Sequence, residues 1–114
     1  MLAMDEVRRD GDDELCGHLA ARDGRWLAMT VFGAVLSEHA SRSNAVAVVL
    51  DEGLASLGDR WTLRYPDGTT EIVCILEAQP GVATLALGYY SMPGAPTLRI
   101  TADQLASGNW AMTR

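Results

Sequence analysis

The feature that most constrains the fold is a turn at residues 65–68, Tyr-Pro-Asp-Gly, between two stretches that favour β-strands. Proline presets the backbone angle at the second turn position, and glycine accepts the positive φ that many tight turns require. Before the turn, the segment 60–65 alternates apolar and polar side chains with the period of a strand. The sequence therefore predicts an antiparallel hairpin with strands at 60–65 and 70–78.

The second strand of this hairpin is apolar on both of its faces. Ile72, Cys74 and Leu76 fall on one face, and the opposite face is also apolar between its terminal glutamates. A strand that is apolar on both faces is normally covered on both. We therefore expect the outer face of the sheet to be covered by N-terminal helices or by a second subunit.

Further turn signals divide the rest of the C-terminal half. Three more short strands are predicted at 82–90, 97–101 and 109–113. Thr101 and Gln104 have the spacing of a capping box that opens a single helical turn over 102–107. Residues 59–114 are thus expected to form an antiparallel meander.

The N-terminal half has apolar residues at helical spacing in three segments. The first lies between Asp12 and Asp23, and the last, 44–57, has Asn44 as its cap. The middle segment, 25–41, also fits a strand because it contains β-branched residues and Phe32. The helical pattern covers more of its positions, so the prediction is a helix.

The domain prediction follows from these segments and from charge. Six acids crowd the first fourteen residues, which predicts an acidic, flexible tail over 1–11. Such an arm could instead dock on a basic partner. Residues 12–114 are predicted to form one α+β domain, mainly helical over 12–58.

The predicted fold class is α+β, with N-terminal helices packed on a C-terminal, antiparallel, strongly curved four- to five-stranded sheet. Two hairpins, a helical turn and a short last strand across 59–114 resemble the layout of an SH3-like small barrel. This resemblance covers about half of the chain and lacks the proline-recognition signatures of that family, so it implies a fold and no function. The alternative is a cone-shaped fold of the nuclear-transport-factor-2-like (NTF2-like) or cystatin-like kind.

Composition argues against several classes of protein. The 114 residues carry a formal charge of −6, with nine arginines and no lysine, whereas nucleic-acid-binding domains are normally basic. No apolar run reaches the roughly 20 residues that a membrane helix needs. Cys16 and Cys74 are isolated in sequence, so we expect both to be reduced in a cytoplasmic protein. Arginine without lysine, with many alanines and glycines, is typical of GC-rich coding and favours a bacterial source.

Few residues qualify as catalytic or metal-binding candidates. On a helix, Cys16 and His18 would point about 200° apart, too far to share one ion. His39 could act as a base oriented by Asp51 or Glu52, if the groups lie within hydrogen-bond reach. Such a histidine is more often half-buried near a helix C-terminus. The scattered glycines form no phosphate-binding loop. We therefore predict no cofactor and no metal, and His39 and Asp51 remain the catalytic candidates.

Aromatic and arginine residues are interleaved in the C-terminal half, and these residue types are enriched in binding hot spots. Tyr89 and Tyr90 are adjacent on a predicted strand, so one ring must leave the inner core. Tyr90, beside the 91–96 loop, is the best contact candidate, whereas Trp61 fits either a contact or a core position. The predicted protein-binding residues are Tyr90, Trp61, Arg64, Arg99 and Trp110.

Two functional hypotheses remain open. The first is a small, non-catalytic binding or accessory protein that acts through protein–protein contacts and forms a homodimer. The surface of contact would be the outer face of the sheet or the segment 25–41. The second is a small-molecule-binding or enzymatic domain with a pocket between helices and sheet, lined by Trp26, Phe32 and Tyr89 and using His39 and a carboxylate.

Overall fold

Two antiparallel sheets make up most of the protein in the computed structural model, which describes residues 4–88 and 94–114. The N-terminal sheet has the strand order β1-β2-β3-β4 and comprises β1 (Asp5–Arg8), β2 (Leu15–Arg22), β3 (Arg25–Met29) and β4 (Val35–His39). The C-terminal sheet has the order β8-β7-β6-β5-β9 and comprises β5 (Arg60–Arg64), β6 (Thr70–Gln79), β7 (Val82–Leu87), β8 (Thr97–Thr101) and β9 (Ala111–Thr113). The helical elements are α1 (Arg42–Glu52), a 3₁₀ turn (Ala55–Gly58) and α2 (Ala102–Ala106).

The predicted fold class is wrong, because two of the three segments expected to be helices form strands of the N-terminal sheet. Within the described residues neither sheet is closed or strongly curled, so both the SH3-like small barrel and the cone are also wrong. The physical reason is burial on two sides: Leu19 and Ala20 are neighbours in β2, point to opposite faces and are both buried. Burial on both faces removes the alternation that identifies a strand, and the remaining apolar spacing also fits a helix.

The segment 25–41 contains β3, a buried turn and β4 instead of one helix. Val31 and Phe32 lie in the turn, and both are buried against the C-terminal sheet. Gly33 has a φ of +96°, and a Cβ there would lie 2.7 Å from the Cβ of Ala102. Two of the apolar residues that fit a helical stripe, Val31 and Phe32, are therefore turn residues that fill the core of the other sheet.

Helix α1 covers one face of the N-terminal sheet. Its buried Ala45 and Val49 pack against the strands in a cluster completed by Val7, Cys16, Leu19 and Ala28. The helix begins earlier than predicted, because its cap is Ser41, whose Oγ accepts from the backbone N–H of Asn44 at 3.2 Å. The chain leaves the helix at Gly53 and continues into the 3₁₀ turn.

The C-terminal half follows the predicted order of elements. Strands β5 and β6 pair through the expected turn, where Gly68 has a φ of +89°. The capping box of Thr101 and Gln104 opens α2, and β9 then returns to pair with β5 at the edge of the sheet. The inner face of this sheet forms the second core, with Trp61 and buried residues from every strand.

The structure differs from the prediction in the position of the N-terminal helix and in the conformation of the acidic N-terminal segment. Helix α1 lies on the N-terminal sheet, so the expectation that N-terminal helices cover the outer face of the C-terminal sheet is wrong. In the acidic segment predicted as a tail, residues 5–8 form β1 and pair with β2. Asp5, for example, lies opposite Leu19.

Candidate functional site

A cleft of about 340 Å³ lies between the face of the N-terminal sheet that points away from α1 and the region formed by α2 and β9. The wall on the side of the N-terminal sheet is formed by cross-strand pairs between β2 and β3. Ala20 lies opposite Leu27, and His18 lies opposite Met29, which directs all four side chains away from the helix. Leu27 and Met29 line the cleft and are almost completely removed from solvent.

The second wall is built around the short edge strand β9. Met112 is buried at 5% exposure, and Trp110 and Leu105 are half-buried beside it. The ring of Trp110 packs on that of Tyr65, with 5.4 Å between ring centroids and a tilt of 52°. The Tyr65 hydroxyl donates a 2.7 Å hydrogen bond to Glu71, and this bond is the main reason that the pKa of Tyr65 is raised.

Three charged side chains line the cleft: Arg22, Arg64 and Asp103. Arg22 is exposed at the end of β2, and Arg64 is half-buried at the end of β5. Arg64 donates one hydrogen bond, from Nη2 to the carbonyl oxygen of Gly108 at 3.1 Å. The cleft thus has an apolar interior and a lining whose charged groups sum to a single positive charge.

The outer face of the C-terminal sheet is the second candidate surface. On its central strand β6, Ile72 is 39% exposed and Leu76 is 51% exposed, with half-buried Cys74 between them. Leu76 is the extra residue of a bulge between Ile75 and Glu77. Near the bulge, Glu77 and Arg99 line a shallow depression on the same face. This surface is therefore apolar along one strand and carries charges of both signs beside it.

No family model, curated protein or solved structure matches this chain. Among the described residues, no group of three or more His, Cys, Asp or Glu side chains is placed to hold a metal ion. No helix in the same part of the chain is long and apolar enough to cross a membrane. Function is therefore inferred from the geometry of the cleft and of the outer face.

Trp61 does not belong to a contact surface, because it is the largest fully buried side chain in the described part of the chain. Its Nε1–H donates to the carbonyl oxygen of Ser56 at 2.9 Å. Its ring meets Phe32 edge to face, with 6.1 Å between centroids. The assignment of Trp61 to protein binding is wrong, since its strand position points inward and its one polar atom is already bonded.

The other predicted contact residues are divided between the two surfaces. Arg64 and Trp110 both line the cleft, whereas Arg99 lies on the outer face of the C-terminal sheet. Tyr90 lies outside the described residues, as does Tyr89. The structure therefore does not gather the predicted set into one site.

His39 and Asp51 are not placed as a catalytic pair. The Nε2 of half-buried His39 lies 2.7 Å from the Ser37 hydroxyl oxygen, two residues earlier on β4. Asp51 is exposed on α1, and within the described chain no hydrogen bond or ion pair joins it to His39. Neither residue lines the cleft, and the same holds for Trp26 and Phe32.

Cys16 and His18 lie on a strand instead of the predicted helix, yet they still point apart. A bulge in the pairing of β1 with β2 leaves Cys16 packed under α1, while His18 faces the other side of the sheet. The His18 ring bonds through Nδ1 to the carbonyl oxygen of Thr30 at 3.3 Å. Cys16 and Cys74 are both free thiols.

The sequence analysis missed the cleft because its two walls come from distant segments. Leu27 and Met112 are far apart in the chain and line one cleft only because of the packing of the sheets. One signal was available in the unbroken apolar run around Leu27, Ala28 and Met29, which is typical of a strand buried on both faces. If this run is taken as a strand buried on both faces, it predicts an apolar surface on the face of the sheet opposite α1.

Proposed function

We propose that this chain is a small, non-catalytic binding protein that acts through protein–protein contacts, and that a second copy of the chain is one of its partners. The observation that carries the proposal is the pair of exposed apolar side chains, Ile72 and Leu76, on the central strand of the C-terminal sheet. In an antiparallel sheet with one face open to water, that face normally carries polar side chains, and the apolar side chains are buried on the other face. Contiguous exposed apolar surface of this kind marks interaction sites on soluble proteins.

The charges beside the apolar strand favour a symmetric partner. Glu77 and Arg99 lie close together on this face and have opposite signs. In a two-fold dimer the same surface meets itself, so Arg99 of one copy can lie against Glu77 of the other. Charge complementarity of this type sets orientation more than it adds affinity.

The size of the face supports a weak dimer. At about 3.3 Å per residue and about 4.8 Å per strand, the five short strands cover on the order of 500 Å². A standard stable interface buries about 800 Å² on each partner, so this face belongs to the smaller class of interfaces. The expected association is therefore reversible and depends on protein concentration.

Other features support the finer parts of the proposal. The two free cysteines favour a reducing compartment, and we assign the protein to the cytoplasm on that basis. The formal charge of −6 argues against nucleic acid as a partner. A catalytic role for His39 is the weaker alternative, since its ring is bonded to Ser37 and not to a carboxylate.

Sedimentation velocity over a wide range of protein concentration tests the proposal. The variants Ile72→Ser and Leu76→Ser remove apolar surface from the outer face, and Leu50→Ser is the matched control because Leu50 is 43% exposed on α1. Wild type and Leu50→Ser should dimerise with rising concentration, while the two outer-face variants stay monomeric. A wild-type monomer at all concentrations, or equal loss of dimer in Leu50→Ser, would contradict the proposed interface.

A further inference from the structure

The cleft and the outer face differ in what could fill them. The cleft is concave, and its lining includes accessible apolar side chains, Val35, Leu105 and Trp110, beside the buried Leu27, Met29 and Met112. A volume of about 340 Å³ lies at the lower end of the range for small-molecule sites, whose linings are mostly apolar with few polar groups. One water molecule occupies about 30 Å³ in the liquid, so at about this volume per non-hydrogen atom the cleft accommodates a ligand of roughly ten such atoms.

The two arginines of the cleft differ from most of the other arginines of this chain in their pairing with carboxylates. Five arginines form ion pairs with carboxylates: Arg8, Arg9, Arg25, Arg42 and Arg114. Arg22 and Arg64 line the cleft and form no such pair with any described residue. A guanidinium has five N–H donors in a fork that matches a carboxylate, and Arg64 uses one of them on Gly108.

We propose that the cleft binds a small amphipathic carboxylate, with its apolar body against Val35, Leu105 and Trp110 and its carboxylate on Arg22 and Arg64. The apolar lining favours a ligand with a hydrocarbon body, and two arginines that form no ion pair with the described residues favour a negative group at its end. Asp103 is the one acidic residue of the lining, and it limits the ligand to a single negative charge because the lining carries a net charge of +1. This site is independent of the proposed dimer, which uses a different face.

Binding should depend on local contacts and not on long-range attraction. The protein as a whole carries a formal charge of −6, which repels anions at a distance. Salt at physiological concentration screens such interactions beyond about 8 Å, whereas contacts between the ligand and the arginines are much shorter. Affinity should therefore change little with moderate salt and should drop when one arginine is replaced.

Octanoate is the probe, since its size matches the cleft, and octanol of the same chain length is the uncharged control. Titration is followed by calorimetry and by tryptophan fluorescence, in which Trp110 is the one of the three tryptophans that lines the cleft. Octanoate should bind saturably, and octanol about tenfold more weakly or not at all, because charge-assisted hydrogen bonds contribute about this factor. Arg22→Gln and Arg64→Gln should each weaken octanoate about tenfold.

Two further variants separate the cleft from other apolar surface. Arg99→Gln removes a positive charge on the outer face and should leave octanoate binding unchanged. Ala106→Trp fills the cleft from its exposed rim and should abolish binding while far-ultraviolet circular dichroism stays that of wild type. The proposal is overturned if octanoate does not saturate the wild type, if octanol binds equally well, or if Arg99→Gln weakens binding as much as Arg64→Gln.

Discussion

The two sheets differ in how many of their faces are covered. In the middle of the N-terminal sheet both faces are buried, since Leu19 under α1 and Leu27 at the cleft are each 0% exposed. The C-terminal sheet is buried on its inner face at Val73, whereas Ile72, the next residue on the same strand, is 39% exposed. Both β3 and β6 contain unbroken apolar runs, so the difference shows that packing, and not the sequence pattern, decides whether the second face of a strand is covered.

The charged residues show a parallel contrast. Ion pairs of the N-terminal sheet, such as Arg8 with Glu6 and Arg25 with Glu38, are well exposed and each contributes little to stability. The arginines at the two candidate surfaces form no carboxylate pair with the described residues: Arg22, Arg64 and Arg99. Local pairing thus satisfies most of the basic charge, and the unpaired arginines coincide with surfaces that could receive a ligand or partner.

The largest expected effect tests whether the two sheets share a core. Phe32 belongs to the N-terminal turn but is fully buried against the C-terminal sheet. Phe32→Ala should lower the free energy of unfolding by about 3–5 kcal/mol, because it leaves a large cavity. Urea unfolding measures the change, with exposed Leu50→Ala as the control, expected within about 1 kcal/mol of wild type. A loss for Phe32→Ala no larger than that of the control would mean that the sheets are energetically separate.

The next effect tests how closely α1 packs on the N-terminal sheet. A Cβ at Gly17 would collide with the carbonyl oxygen of Met29 and lie 2.8 Å from Cγ1 of Val49. Gly17→Ala should therefore destabilise the protein by about 1–3 kcal/mol. At Gly58 a Cβ would meet nothing within 4 Å, so Gly58→Ala should be neutral or slightly stabilising in the same urea assay. Equal losses in the two variants would contradict the close approach of the helix to the sheet.

The smallest effect concerns the half-buried hydrogen bond between Tyr65 and Glu71 in the C-terminal sheet. The pKa of Tyr65 is raised above its ordinary value of 10.0, chiefly because its hydroxyl donates to Glu71. Since the neutral phenol is favoured in the folded state, this stabilisation is complete below the unfolded pKa and is lost as pH rises through the folded pKa.

Glu71→Gln should bring the pKa of Tyr65 back toward 10.0, because the carboxylate charge that favours the neutral phenol is removed. Ultraviolet absorbance of tyrosinate during a pH titration measures the change, and Tyr65→Phe identifies which step of the titration belongs to this residue. An unchanged titration in Glu71→Gln would show that the bond to Glu71 does not control this hydroxyl.

Local signals predicted the elements whose partners are close in sequence. The turn at 65–68 and the capping box of Thr101 and Gln104 depend on a few neighbouring residues, and both form as predicted. For Leu19 and Ala20 the local signals were not sufficient, because burial by distant parts of the chain decides their conformation. Of the candidate site, Arg64 and Trp110 were identified from residue type, but their common position at the cleft was not.

By itself, the sequence determined the order of strands, turns and helical turn after Gly58, since alternation and turn chemistry act over a few residues. Tertiary structure decided that β2 and β3 are strands, because a segment buried on both faces carries no period of its own. It also decided that the turn containing Phe32 fills the core of the other sheet, and that Leu27 and Met112 line the same cleft. Such contacts join residues remote in the chain, and only the packing of the two sheets brings them together.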